Sequence, residues 1–132
     1  MWQRKKFFLV CRGGGLDCPD HKLLSIFEHI GREWGQLDFL LHSIAFSPKG
    51  ALHGRVVDVD REGFQKTMDV SCWSFMRMAH LAEPLMTNGG TIFTMTYYGS
   101  QVVVENYNIM VFANAALESS VRYLANELGP KG

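Results

Sequence analysis

Two short apolar runs set the main constraint on this chain. Leu37-Asp-Phe-Leu-Leu-His42 follows Gly35, and Thr91-Ile-Phe-Thr-Met-Thr96 follows the turn sequence Asn88-Gly89-Gly90. The first, a short apolar run after a glycine, reads as a buried strand, and the second reads as a strand. Between them Phe64, Met68, Cys72, Phe75, Ala79 and Ala82 recur at helical spacing, with Asp60 as a candidate cap and Pro84 near the end. An earlier helix is predicted over 21–34, capped by Asp20, striped by Leu23, Ile26, Phe27 and Ile30, and closed by Gly35. A third helix is predicted over 107–128, with Met110, Ala113, Leu117, Val121 and Leu124 on one face before a Gly129-Pro130 stop. Residues 43–59, with Pro48, Gly50 and Gly54, read as a loop. Strands separated by long helices require crossovers and therefore pair in parallel, which predicts an α/β fold.

The balance of charges is zero, so nothing global draws the chain to nucleic acid or to an anionic membrane. No apolar stretch approaches the ~20 residues of a membrane span. The run Phe7–Cys11 is shorter than the ~7 residues a signal peptide needs, and it reads as a short strand or a leader. Cys11, Cys18 and Cys72 form no CxxC pair, which argues against a zinc ribbon or a disulfide framework and for a reducing, cytoplasmic setting. His21, His29, His53 and His80 lack metal-ligand spacing, and no metal site is expected. His42 ends a buried strand and reads as a satisfied core histidine. Met68, Met76, Met78, Met86 and Trp73 suit a core or a subunit face. At 132 residues, 47% of them hydrophobic, the chain suffices for one core. Two or three strands cover few layers, however, so the chain is expected to be a piece of a larger α/β domain.

In an open parallel sheet, ligands bind beyond the C-terminal ends of the strands. Two segments reach that rim: His42-Ser43-Ile44-Ala45-Phe46-Ser47, and Thr96-Tyr97-Tyr98-Gly99 running on to Asn106-Tyr107-Asn108. A tyrosine there could give a proton as hydride reaches a conjugated carbonyl compound. Its pKa of ~10 makes it a weak acid, and a nearby ammonium would lower that value. A residue seven positions further along a helix lies two turns on, roughly 10 Å in rise, on nearly the same face. Here that residue is Asn114, which can hydrogen-bond a ribose hydroxyl but carries no charge to stabilise a phenolate.

These segments resemble the bacterial NADH-dependent enoyl-acyl-carrier-protein reductases of the short-chain dehydrogenase/reductase superfamily. The resemblance runs through Leu37–Ser47, Met68-Asp-Val-Ser-Cys-Trp-Ser-Phe75, Thr94-Met-Thr-Tyr-Tyr-Gly99, Asn106-Tyr-Asn-Ile-Met110 and Ala115–Ala125, and covers about residues 16–132. Its specific mark is two tyrosines ten apart, the second followed by Tyr-x6-Lys; the broader superfamily uses Tyr-x3-Lys. It implies a partial Rossmann-type three-layer fold, with a parallel sheet and flanking helices, over 16–132, and an unmatched leader over 1–15. It also implies NADH as cofactor and an enoyl substrate carried on acyl-carrier protein, reduced in fatty acid biosynthesis. By resemblance Tyr107 contacts the thioester carbonyl and Tyr97 is the second active-site tyrosine. Ser43 and Ile44 contact the cofactor, Asp17 and Cys18 lie near its adenine, and Ser47 lies beside the substrate. Asn114 stands at the family's lysine.

Three departures accompany the match. Asn114 replaces the lysine, residues 1–15 hold no GxGxxG-type phosphate turn, and the family's last strands with its substrate loop have no counterpart. Three readings follow: an enoyl reductase with impaired activity, a non-catalytic remnant that at most packs against intact subunits, or a reductase of another carbonyl compound. The Tyr-x6 spacing argues against the third. The small residues Ala113, Ala115, Ala116, Ser119 and Ser120 suit either close packing on the sheet or a homo-oligomer contact through helix 107–128.

Overall fold

The structure, a computed structural model, describes the strand at residues 7–11 as backbone, and residues 20–132 in full. Three strands, β1 (Phe7–Cys11), β2 (Phe39–Ser43) and β3 (Thr91–Thr94), form one sheet in the order β1-β2-β3. Both pairings are parallel, with Phe7 opposite Phe39 and Phe39 opposite Thr91. The N-terminal run is thus a strand of the sheet. The calls on Asp17 and Cys18 lie outside the described residues.

Helix α1 (Asp20–Trp34) joins β1 to β2. Asp20 stands at its start and its carboxylate takes Arg77 through two guanidinium bonds, one of them 2.9 Å long. The helix buries Leu23, Phe27 and Ile30, whereas Ile26 lies off that line and is exposed. Gly35 (φ 74°) turns the chain out of the helix, a conformation that costs glycine nothing.

Residues 43–59 are less irregular than expected. They hold a short helix, α2 (Lys49–Leu52), and a 3-10 turn (Val56–Asp58). The predicted long helix starts as expected on Asp60, whose carboxylate accepts the Gly63 N–H at 2.6 Å. It then divides into α3 (Arg61–Met68), a π turn (Asp69–Trp73) and α4 (Ser74–Ala82). The π turn brings three successive residues, Val70, Ser71 and Cys72, into the interior. Phe64, expected on the buried face, is 45% exposed. The inward line of α3 runs through Gly63 and Thr67, and Ala51 of α2 lies so near that a Cβ on Gly63 would sit 2.9 Å from it. The last helix, α5 (Asn108–Leu128), buries Met110, Ala113 and Leu117 as expected. Val121 is exposed, because beyond Leu117 the helix borders an open apolar groove of about 270 Å³ beside Thr91 and Ile92.

Leu40 and His42 point to one face of β2, and the helices pack there. Leu23, Phe27 and Ile30 of α1 meet Leu40 together with Met78 and Ala82 of α4. Leu117 of α5 joins Cys72 and Phe75, with Ile92 of β3 against them. On the other face the rings of Phe39 and Phe93 meet at a 45° tilt with centroids 5.1 Å apart. Right-handed crossovers along one strand order put successive helices on one side. The described residues therefore supply one helical layer of the Rossmann-type arrangement. Among them no helix is long and apolar enough to cross a membrane.

His42 is fully buried and satisfied. Ser74 Oγ gives its proton to the Val70 carbonyl at 2.7 Å, so it accepts from His42 Nε2 at 2.8 Å. Neutral His42 then accepts on Nδ1 from Thr94 Oγ1 at 2.9 Å, and Phe75 meets the ring edge-on. Burial lowers the pKa of His42 from 6.5 to about 4. The unfolded chain therefore takes up this proton first as pH falls. The contribution of neutral His42 is complete above pH 6.5 and is lost towards pH 4, a change of roughly 3 kcal/mol. Glu83 and Glu118, whose carboxyl pKa values are lowered, lose theirs only below the unfolded value of 4.5. Urea midpoints measured at pH 7, 5 and 4 should fall steadily, and His42→Gln should flatten the decline between pH 6.5 and 4.5.

Candidate active site

The parallel register brings the C-terminal ends of β2 and β3 to one rim. Met95 N–H bonds to the His42 carbonyl at 3.1 Å, so the two chains leave the sheet side by side. Beyond β3, Tyr97 precedes a 3-10 turn (Tyr98–Ser100) and is 48% exposed. Asn106 adopts φ 59°, which asparagine tolerates better than most residues, and turns the chain so that Tyr107 caps α5.

The two tyrosines meet. Their ring centroids are 4.9 Å apart and the rings cross at 67°, an edge-to-face contact. Gly99 makes room for it: a Cβ there would lie 3.3 Å from Tyr107 Cδ1, 3.4 Å from Tyr97 Cδ1 and 3.1 Å from Val111 Cγ1. Asn114 lies two turns along α5 from Tyr107. It is 4% exposed, and its amide donates a long 3.4 Å hydrogen bond to the Tyr107 hydroxyl oxygen. A phenol that accepts from an amide keeps its own proton free for another acceptor. Tyr98 points to solvent.

The β2 end of the rim is held by residues that sequence reasoning missed. Ser71, buried in the π turn, accepts from the Phe46 N–H and donates to the Phe46 carbonyl, both at 3.0 Å. Its Oγ also lies 3.9 Å from Met110 Sδ, so it joins the Ile44–Ser47 segment to α5. Ser47 Oγ lies 3.1 Å from Thr67 Oγ1 and 3.3 Å from the Pro48 carbonyl. Ser43 ends β2, and Ile44 packs against the core between α1 and α4. Asn108 Nδ2 donates to the Gly54 carbonyl, closing the rim at the start of α5. The available signal was a serine inside an apolar helical stretch, Val70-Ser71-Cys72. Among the described residues no cluster of three potential metal ligands occurs.

A family model described as Enoyl-(Acyl carrier protein) reductase matches residues 19–132. The chain belongs to the enoyl-acyl-carrier-protein reductase family. It is 48% identical over 115 residues to enoyl-acyl-carrier-protein reductase (NADH) FabI of Rickettsia conorii, covering 86% of this chain and 44% of the relative. The corresponding reductase of Synechocystis sp. is 46% identical over 112 residues, with 85% of this chain and 43% of the relative covered. The crystal structure of the Anaplasma phagocytophilum reductase in complex with NAD superposes with a TM-score of 0.84 at 48% identity, over 86% of this chain and 43% of that one. The Bacillus cereus enzyme with NADP+ and indole naphthyridinone gives 0.85 at 44% identity, over 86% of this chain and 44% of that one. The chain thus spans less than half the length of these relatives.

Replacing Ser71 with alanine leaves the Phe46 N–H without its partner in a part-buried position. Ser71→Ala should lower stability by about 1–3 kcal/mol in urea unfolding and speed proteolysis of the 45–54 segment. A loss within about 0.5 kcal/mol, the level of a surface change, would show that Ser71 does not hold the rim.

Proposed function

We propose that this chain carries the tyrosine side of an NADH-dependent enoyl-thioester reductase site, weakened by Asn114. The observation that carries the reading is the joined set of Tyr97, Tyr107 and Asn114 at the C-terminal rim of a parallel sheet. The rim's donors suit a nicotinamide ribose at Asn114, whose single long bond to Tyr107 leaves donor and acceptor capacity for a hydroxyl. Ser43 and Ile44 would hold the cofactor on the β2 side, and Asp17 and Cys18 would lie near its adenine. When bound, NADH supplies a hydride for the β-carbon of a trans-2-enoyl thioester.

The Tyr107 hydroxyl would hydrogen-bond the thioester oxygen, where negative charge develops, and solvent would supply the proton that the α-carbon takes up. Tyr97 packs edge-on against Tyr107 and limits where that hydroxyl can go. Ser47 lies beside the acyl group. Asn114 orients the Tyr107 hydroxyl through its amide but adds no positive charge beside it. The acyl-carrier-protein substrate, the place in fatty acid biosynthesis and a cytoplasmic setting come with the same reading. The outward side of α5, where Phe112 and Tyr123 are exposed, supports a homo-oligomer contact through this helix.

Crotonyl-thioester-dependent oxidation of NADH by the purified chain should be slow but measurable. Tyr107→Phe should lower kcat by about 100-fold, the effect of losing one oxyanion donor. Asn114→Lys should raise it by about tenfold, the effect of about 1.4 kcal/mol of added charge stabilisation in the transition state. The uncharged Asn114 also favours a second reading, a non-catalytic chain that packs against intact subunits. Turnover no faster than the protein-free rate, in both the natural chain and Asn114→Lys, would establish that second reading.

A further inference from the structure

We infer that Glu118 is a positioning residue that sets the contact between the two tyrosines. Its Oε1 atom accepts Thr96 Oγ1 at 2.8 Å and Ser100 Oγ at 2.6 Å. These donors bracket Tyr97, one immediately before it and one at the end of the turn that follows. Two bonds converging on one oxygen fix both ends of a five-residue loop to a single point on α5. That point lies one turn beyond Asn114 on the same helix face, so α5 acts as a rigid ruler from Tyr107 through Asn114 to Glu118.

The loop needs such a clamp. Its middle lies so close to α5 that a Cβ at position 99 would crowd both rings and Val111 at 3.1–3.4 Å. Tyr97 itself is half exposed, so apolar burial alone holds it weakly. Hydrogen bonds to an ionised acceptor are the stronger kind, and the two hydroxyls, Ser100 first and then Thr96, hold the Glu118 carboxyl below its usual pKa. Arg122, one turn further on, adds to that lowering. Without an acceptor oxygen at position 118, Thr96 and Ser100 would turn to water and Tyr97 would leave the Tyr107 ring. The effect on catalysis rests on the reductase reading; the ring contact does not.

The test is NMR of the chain with labelled tyrosines, the signals of Tyr97 and Tyr107 being assigned from their phenylalanine variants. The natural chain should show a cross-relaxation peak between the two rings. Glu118→Gln, whose amide oxygen accepts the same two bonds, should keep it. Glu118→Ala should weaken it severalfold while the Tyr123 signal stays unchanged. In turnover, Glu118→Ala should lower kcat while the KM for NADH stays near that of the natural chain, and Glu118→Gln should restore kcat. Should Glu118→Ala fail to fold, Thr96→Val with Ser100→Ala removes the same bonds and should weaken the same peak. An undiminished ring-to-ring peak in either folded variant overturns the proposal. A lost peak in a chain that never oxidises NADH supports the clamp and counts only against the reductase reading.

Discussion

Strand β2 hydrogen-bonds along both edges, and the rest of the structure depends on that double parallel pairing. Because both partners run its way, the chain leaves β2 and β3 at the same end of the sheet. Because His42 lies on the buried face of this strand, its ring has to be satisfied internally, and it joins Thr94 of β3 to Ser74 of α4. The fixed ends then deliver Ser43 to Ser47 on one side of the rim and Tyr97 on the other. A slip of one residue in β2 would turn His42 out and put Phe39 and Leu41 against the helices.

Helix α5 completes the rim and governs its chemistry. Ala113 and Leu117 seat it against the π turn and α4, which fixes its rotation. With the rotation fixed, Tyr107, Asn114 and Glu118 all face the loop that carries Tyr97. The rim therefore presents two hydrogen-bonded side chains, Tyr107 and Asn114, of which the second is an uncharged amide. Asn114 orients a phenol through a hydrogen bond, whereas an ammonium at the same place would add a positive charge beside it.

Much of this arrangement is legible in the sequence, because it follows from local pattern. The Asp60 cap, the Gly35 stop, the buried run ending in His42 and the small-residue face of α5 are all set by neighbours within a few positions. The parallel rim follows from helix-separated strands, and the Tyr107 to Asn114 spacing from helix geometry. Other features escaped the pattern. Helix α2 is a single turn, Lys49–Leu52, too short to show a period. The π turn shifts which residues face inward, and Phe64 was misplaced because Ala51 packs against Gly63. Ser71 and Glu118 act through partners 25 and 18–22 positions away. A serine within the apolar stretch Val70-Ser71-Cys72 is the one local mark of the first, and nothing local names the partners of either, although both residues lie within stretches whose family likeness is plain.

In the proposed reading this rim receives a reduced nicotinamide dinucleotide against Asn114 and the paired tyrosines. Equilibrium titration of the purified chain with NADH, followed by the nucleotide's own fluorescence, tests it most directly. Saturable binding in the micromolar range, tightened by Asn114→Lys and weakened by Asn114→Ala, is the predicted result. A linear, non-saturating signal that none of these substitutions alters would contradict it.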